Sequence, residues 1–107
     1  GHVSMRKFDF EWLDTTLEAL EGHPVYLTID LDVMDPSVFP GTGTPEPGGV
    51  SFLTLMRAAT LVARAANVVG CDLVELSPAL DPSGASTACA CKLTRELLLA
   101  LSRQYQS

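Results

Sequence analysis

Cations are scarce in this chain. Across 107 residues it carries 7 Lys+Arg against 13 Asp+Glu, a formal net charge of -6. Phosphate binding needs a basic footprint, so nucleic acid is not an expected partner. Histidine and cysteine are scarce too, with 2 and 3 residues. An odd cysteine count without disulfide-rich spacing points to a reduced, cytoplasmic protein. Cys89 and Cys91 are one residue apart and would lie about 200° apart around a helix. Zinc motifs usually leave two to four residues between such cysteines. Packing roles are therefore expected for Cys71, Cys89 and Cys91. No apolar run approaches the ~20 residues that span a bilayer, so no membrane partner is expected. Nor is a signal peptide expected, because residues 1–7 run into charge rather than an apolar stretch. Residues 1–5 (GHVSM) read as a non-native start, leaving 6–107 as the folded segment.

What is present suits a globular domain: 47% hydrophobic residues, 19% charged, 8 Gly and 7 Pro. A single small α/β unit of roughly 100 residues is possible, with little burial to spare. The acid is uneven. Between Phe8 and Val50 lie nine acidic residues and no Lys or Arg. Asp9, Glu11, Asp14, Glu18 and Glu21 read as a solvated helix face, whereas Asp30, Asp32 and Asp35 sit in another setting.

Leu13, Leu17 and Leu20 recur at helical spacing and predict a helix over 11–20, stopped by Gly22 and Pro24. Residues 25–31 (VYLTIDL) are apolar and β-favouring, a buried strand ending in carboxylates. A loop over 33–49 then holds four prolines and four glycines. Loops of that length are more often functional than not. Ser51 caps a helix to about Ala66, with Thr54, Arg57, Thr60, Arg64 and Asn67 on its polar stripe. Residues 68–76 (VVGCDLVEL) predict a second buried strand containing Glu75, and a last helix runs from about Ser86 or Thr87 to Leu101. Two apolar strands joined by a helix imply a right-handed βαβ unit with parallel strands covered on both faces. Two strands make a thin sheet, so the unit is expected to pair with more chain.

In open α/β sheets, ligands sit beyond the carboxyl ends of the strands. Asp30 and Asp32 fall at one such end and Glu75 at the other. Strand alternation would put Asp30 and Asp32 on one face. Two adjacent carboxylates repel and lose hydration unless a cation or proton compensates. A hard divalent metal suits oxygen ligands; the alternative is that both merely cap loop amides. An EF-hand is out of register at Met34 and Asp35. The DxDx[TV] pattern of haloacid-dehalogenase-like phosphatases is closer, but Met34 occupies its Thr/Val position.

The longer string TIDLDVMDPSVFPGTGTPEPGG, residues 28–49, closely resembles the signature of the ureohydrolases, the arginase/agmatinase family. GCDLVELSPALDPSGASTA, residues 70–88, resembles that family's next block. The resemblance covers about 7–101, and GTGTPEPGG looks more like agmatinases than arginases. It implies the carboxy-terminal part of a three-layer α/β/α fold. It also implies hydrolysis of a guanidino group to urea and an amine, with two manganese ions activating a water. Asp30 matches the aspartate bridging both Mn2+ ions, and Asp32 the aspartate binding one. Glu75 matches the carboxylate that holds the substrate guanidinium and acts in catalysis. Thr44 matches the loop that walls the substrate site, and Asp35–Pro36 a structural turn. Family members commonly form trimers or hexamers, so a homo-oligomer is implied for the complete protein.

The remaining family ligands come from a His motif and an Asp-x-His-x-Asp motif that this sequence lacks. His2 lies in the suspected start, and His23 falls at the wrong end of the first strand. The expectation is therefore an agmatinase-like segment that is inactive alone. Its rival is a non-catalytic binding or assembly module retaining part of a metal site.

Overall fold

The computed structural model describes residues 9–44 and 47–104. The start ascribed to 1–5, with His2, lies outside the described residues. Helix α1 spans Phe10–Ala19, strand β1 Pro24–Asp30, helix α2 Phe52–Ala65, strand β2 Asn67–Val74 and helix α3 Ala85–Gln104. Two three-residue 3-10 turns, Leu31–Val33 and Pro78–Leu80, follow the two strands.

Local chemistry explains the helix starts. Asp9 caps α1, its Oδ1 accepting the Glu11 N–H at 3.0 Å and the Trp12 N–H at 3.3 Å. Ser51 caps α2 by accepting the Thr54 N–H at 3.2 Å. Each such cap satisfies donors that the first helical turn leaves without partners. The Arg57 guanidinium lies 4.2 Å from the centre of the Phe10 ring and ties α2 to α1.

The strands pair in parallel, with Thr28 opposite Asp72 and Asp30 opposite Val74. Leu27 and Ile29 point to one side, where Leu55, Ala59 and Ala63 of α2 and Leu93 and Leu97 of α3 complete the core. Burying each large aliphatic side chain contributes about 1.5–3 kcal/mol, so this face is the main source of stability. Tyr26, Thr28 and Asp30 point to the other side and are exposed. Among the described residues the helices thus cover one face of the sheet, where cover on both was expected.

The long loop is no bystander. Leu31, Met34 and Phe39 are among the most deeply buried side chains. Gly49 makes this possible by lying against the chain it closes on: a Cβ there would stand 2.4 Å from the Val33 carbonyl oxygen. Reciprocal bonds flank that contact, Val50 N–H to Val33 O at 2.9 Å and Asp35 N–H to Val50 O at 3.0 Å.

Three expectations are corrected. β1 ends at Asp30, so Asp32 belongs to a 3-10 turn and strand alternation does not align the pair. β2 ends at Val74, and Glu75 lies beyond it with φ +76°. Cys71 and Cys89 do pack against the core, but Cys91 is exposed in an open apolar groove beside Leu98 and Leu99. Among the described residues no helix is long and apolar enough to cross a membrane.

Candidate active site

Asp30 is the last residue of β1, where the chain leaves the sheet. Its Oδ1 accepts the Asp32 N–H at 3.1 Å and so caps the 3-10 turn. Capping and a clustered carboxylate pair are therefore not alternatives here. The same turn that uses one Asp30 oxygen folds the Asp32 side chain back toward it. Asp30 is pushed up to about 6, first by partial desolvation and then by a side-chain hydrogen bond with Asp32. The charges of Asp32 and Glu75 add to the rise, against the lowering effect of the Asp32 N–H. Asp30 thus sits in the field of both other carboxylates at the carboxyl ends of the strands.

Thr44 joins this group from the long loop. Its hydroxyl donates to Asp32 Oδ2 at 2.7 Å, which orients the second carboxylate. The loop reaches that position because Asp35 organises it. Asp35 Oδ1 accepts from the Ser37 N–H at 2.9 Å and the Ser37 hydroxyl at 2.7 Å, and Oδ2 accepts from the Gly48 N–H at 2.9 Å. Those donors hold the Asp35 carboxyl down at about 2. With its oxygens so engaged, Asp35 is a turn-former rather than a ligand. His23 precedes β1, at the end of the strand opposite to Asp30.

Glu75 adopts φ +76°, a region that residues with side chains rarely occupy. Such conformations persist where surroundings over-determine them and concentrate at functional sites. The turn takes Glu75 out of the sheet's alternation just beyond the strand end.

Asp30 and Asp32 fit a divalent metal as part of a ligand set. Their donors are oxygen, and their mutual repulsion is what a hard cation would relieve. They do not make a complete set: among the described residues no group of three or more His, Cys, Asp or Glu side chains is arranged to hold a metal ion.

Sequence reasoning missed two clusters. On the open sheet face the Tyr26 hydroxyl, at 3.0 Å, and the Thr28 hydroxyl both donate to Asp72 across the strand pair. The bond to Asp72 pushes the Tyr26 phenol up. The second cluster joins Gly41, Asp81 and Ser86 beneath the loops. Thr28 and Asp72 were legible as a cross-strand pair once the register was known. The only written sign of the second cluster is the repetition of Asp-Pro-Ser, at 35–37 and 81–83.

A model of the arginase family matches residues 2–100. The chain belongs to the arginase family. Among that family's members it is 47% identical over 97 residues to an agmatinase of Halalkalibacterium halodurans, covering 89% of this chain and 34% of that protein. The proclavaminate amidino hydrolase of Streptomyces clavuligerus superposes with a TM-score of 0.79 at 36% identity, over 86% of this chain and 30% of that one. The arginase of Bacillus caldovelox superposes with a TM-score of 0.74 at 31% identity, over 82% and 30% respectively. The chain spans about a third of the length of the curated relatives it matches. Its parallel strand pair and flanking helices are an α/β fragment of the arginase fold.

Proposed function

We propose that residues 6–107 are the carboxy-terminal segment of an agmatinase-like ureohydrolase acting on a small cationic guanidino substrate. The products would be urea and an amine. The observation that carries this reading is the placement of Asp30 and Asp32 at the carboxyl end of β1 and of Glu75 just past the carboxyl end of the parallel strand β2. Agmatinases and amidino hydrolases among the relatives support the substrate class.

Each of the four candidate residues would have a definable task. Asp30 and Asp32 would hold Mn2+ together with ligands from elsewhere in the complete protein. When bound, the metal pair would supply Lewis acidity and lower the pKa of water near the guanidinium carbon. Thr44, through its bond to Asp32 Oδ2, keeps that carboxylate from rotating away. Glu75 presents a carboxylate to the planar guanidinium, whose paired N–H groups match two carboxylate oxygens. That contact orients the electrophilic carbon and offsets the substrate's positive charge. The acidic balance of the chain, -6 overall, favours the approach of a cation. A homo-oligomer in the cytoplasm is the setting this reading assigns.

The incomplete ligand set favours one rival, a non-catalytic module that retains part of a metal site. Urea release separates the two. The isolated 107-residue chain is expected to release none from agmatine with Mn2+, whereas the complete protein is expected to turn over. Turnover by the isolated chain would overturn the division of ligands. An inactive complete protein whose other segments lack Asp-x-His-x-Asp would establish the module.

A further inference from the structure

The left-handed Glu75 needs something to hold it, and one restraint close by comes from the other loop. Two residues beyond Glu75, the Ser77 N–H donates to the Gly41 carbonyl oxygen at 2.6 Å. The Gly41 N–H donates to the Ser86 Oγ at 2.8 Å, and Ser86 is fully buried. The Ser86 hydroxyl in turn donates to Asp81 Oδ2 at 2.7 Å, and the Ser86 N–H reaches the same oxygen at 2.8 Å. Ser86 thereby uses its one donor and an acceptor position in a single buried relay. Gly41 fits only because it has no side chain: a Cβ would stand 2.7 Å from Ser86 Cβ, 2.8 Å from its Oγ and 3.2 Å from Asp81 Cβ. Three residues past Gly41, Thr44 donates to Asp32.

We infer that Gly41, Ser86 and Asp81 form a positioning node that fixes Glu75 relative to the Thr44–Asp32 pair. The node touches neither substrate nor metal. It clasps the two strand-end loops, so that the carboxylate facing the guanidinium and the carboxylates facing the metal keep one separation. This rests on the reading above that Glu75 pairs with the substrate guanidinium. Glu75 meets the guanidinium through a two-oxygen fork whose geometry sets how well the substrate is held, so a clasp two residues beyond Glu75 is felt in substrate binding.

The test compares Ser86→Ala and the near-isosteric Ser86→Cys with Ser51→Ala in the complete protein. Ser51 caps α2 and makes no bond to the node, so it controls for general loss of stability. Three readouts are taken: KM and kcat for agmatine, bound Mn2+ by elemental analysis, and hydrogen exchange at the Gly41 and Ser77 amides. Ser86→Ala should raise KM about ten-fold with kcat changed less than about three-fold. Metal content should stay at the wild-type value, and both amides should exchange faster. Ser86→Cys should move KM the same way by less, and it decides the matter if Ser86→Ala does not fold. Ser51→Ala should leave KM and both amides at wild-type values. A KM in both Ser86 variants matching that of Ser51→Ala would overturn the node, as would metal lost in step with activity. Wild-type protein without urea release would sink the proposed function instead, a result distinct from either.

Discussion

The two loops that leave the strands are built on one plan and fastened differently. Each runs from a strand end through a carboxylate and a 3-10 turn to an Asp-Pro-Ser turn, then to a helix. In each, the aspartate Oδ1 accepts both the N–H and the hydroxyl of the serine two residues on: Ser37 at 2.9 and 2.7 Å, Ser83 at 3.1 and 2.6 Å. Both aspartates are held down at about 2 by those donors. The second oxygen makes the difference. Asp35 spends it on Gly48 of its own loop, whereas Asp81 spends it on Ser86 at the start of α3. The long loop is therefore closed on itself and then docked, through Gly41, onto a short loop that is already part of a helix. The strained Glu75 belongs to the short, anchored loop, and Thr44 belongs to the long, docked one.

The hardest blow to this arrangement is the removal of the long loop's anchor. Phe39 has no exposed surface, and Phe39→Ala should cost about 3–5 kcal/mol in denaturant unfolding. A loss below ~1 kcal/mol would mean the loop is draped over the core rather than built into it.

Acid comes next and separates the two aspartates. Their folded values lie below the ordinary 3.8, so the stability they contribute is fully present above about 4. It is lost as pH falls through about 2. Asp81→Asn and Asp35→Asn should each flatten the acid limb of a thermal-melting series over that window. Only Asp81→Asn should also speed amide exchange in both loops. Equal effects of the two variants on both loops would erase the distinction between self-closed and docked. Asp30 works in the opposite sense, because its folded value of about 6 lies above 3.8. In metal-free protein Asp30→Asn should therefore raise the melting temperature at pH 7. The gain should fade as pH falls from 6 to 4, where wild-type Asp30 takes up its proton anyway.

The smallest effect on stability is expected at Thr44, whose side chain is exposed. Thr44→Val should shift unfolding by no more than about 0.5 kcal/mol. Its mark should fall on metal affinity instead, about 10–100-fold weaker by titration of the complete protein, because Asp32 loses its orienting donor. Unchanged affinity would leave Thr44 as a wall of the site only.

The helices and the two parallel strands were legible because periodicity and caps are local signals. Ser51 before a broad apolar stripe marks α2 to within a residue, and Gly22 with Pro24 marks the end of α1. The strand ends were less legible. The string VVGCDLVEL keeps a strand-like apolar character through to Leu76, and nothing in it announces that Glu75 will turn left-handed, a conformation usually signalled by Gly or Asn. The 3-10 turns span three residues each, too few for any period to show. The buried relay was hidden for a related reason. Asp, Pro, Ser and Gly in a row read as solvated loop, yet Asp81 and Ser86 are buried because α3 begins there and Gly41 comes to meet them. As for the candidate site, the structure puts Asp30 at the carboxyl end of β1 as expected, but with another geometry for its neighbour. A turn, not strand alternation, brings Asp32 to Asp30.

The proposed function divides labour between two carboxylates, Asp30 facing the metal and Glu75 facing the guanidinium. Elemental analysis of bound manganese in the complete protein, beside urea release, tests it most directly. Asp30→Ala should lose both metal and activity, whereas Glu75→Ala should keep its metal and lose activity. Unchanged metal stoichiometry in Asp30→Ala would contradict the assignment.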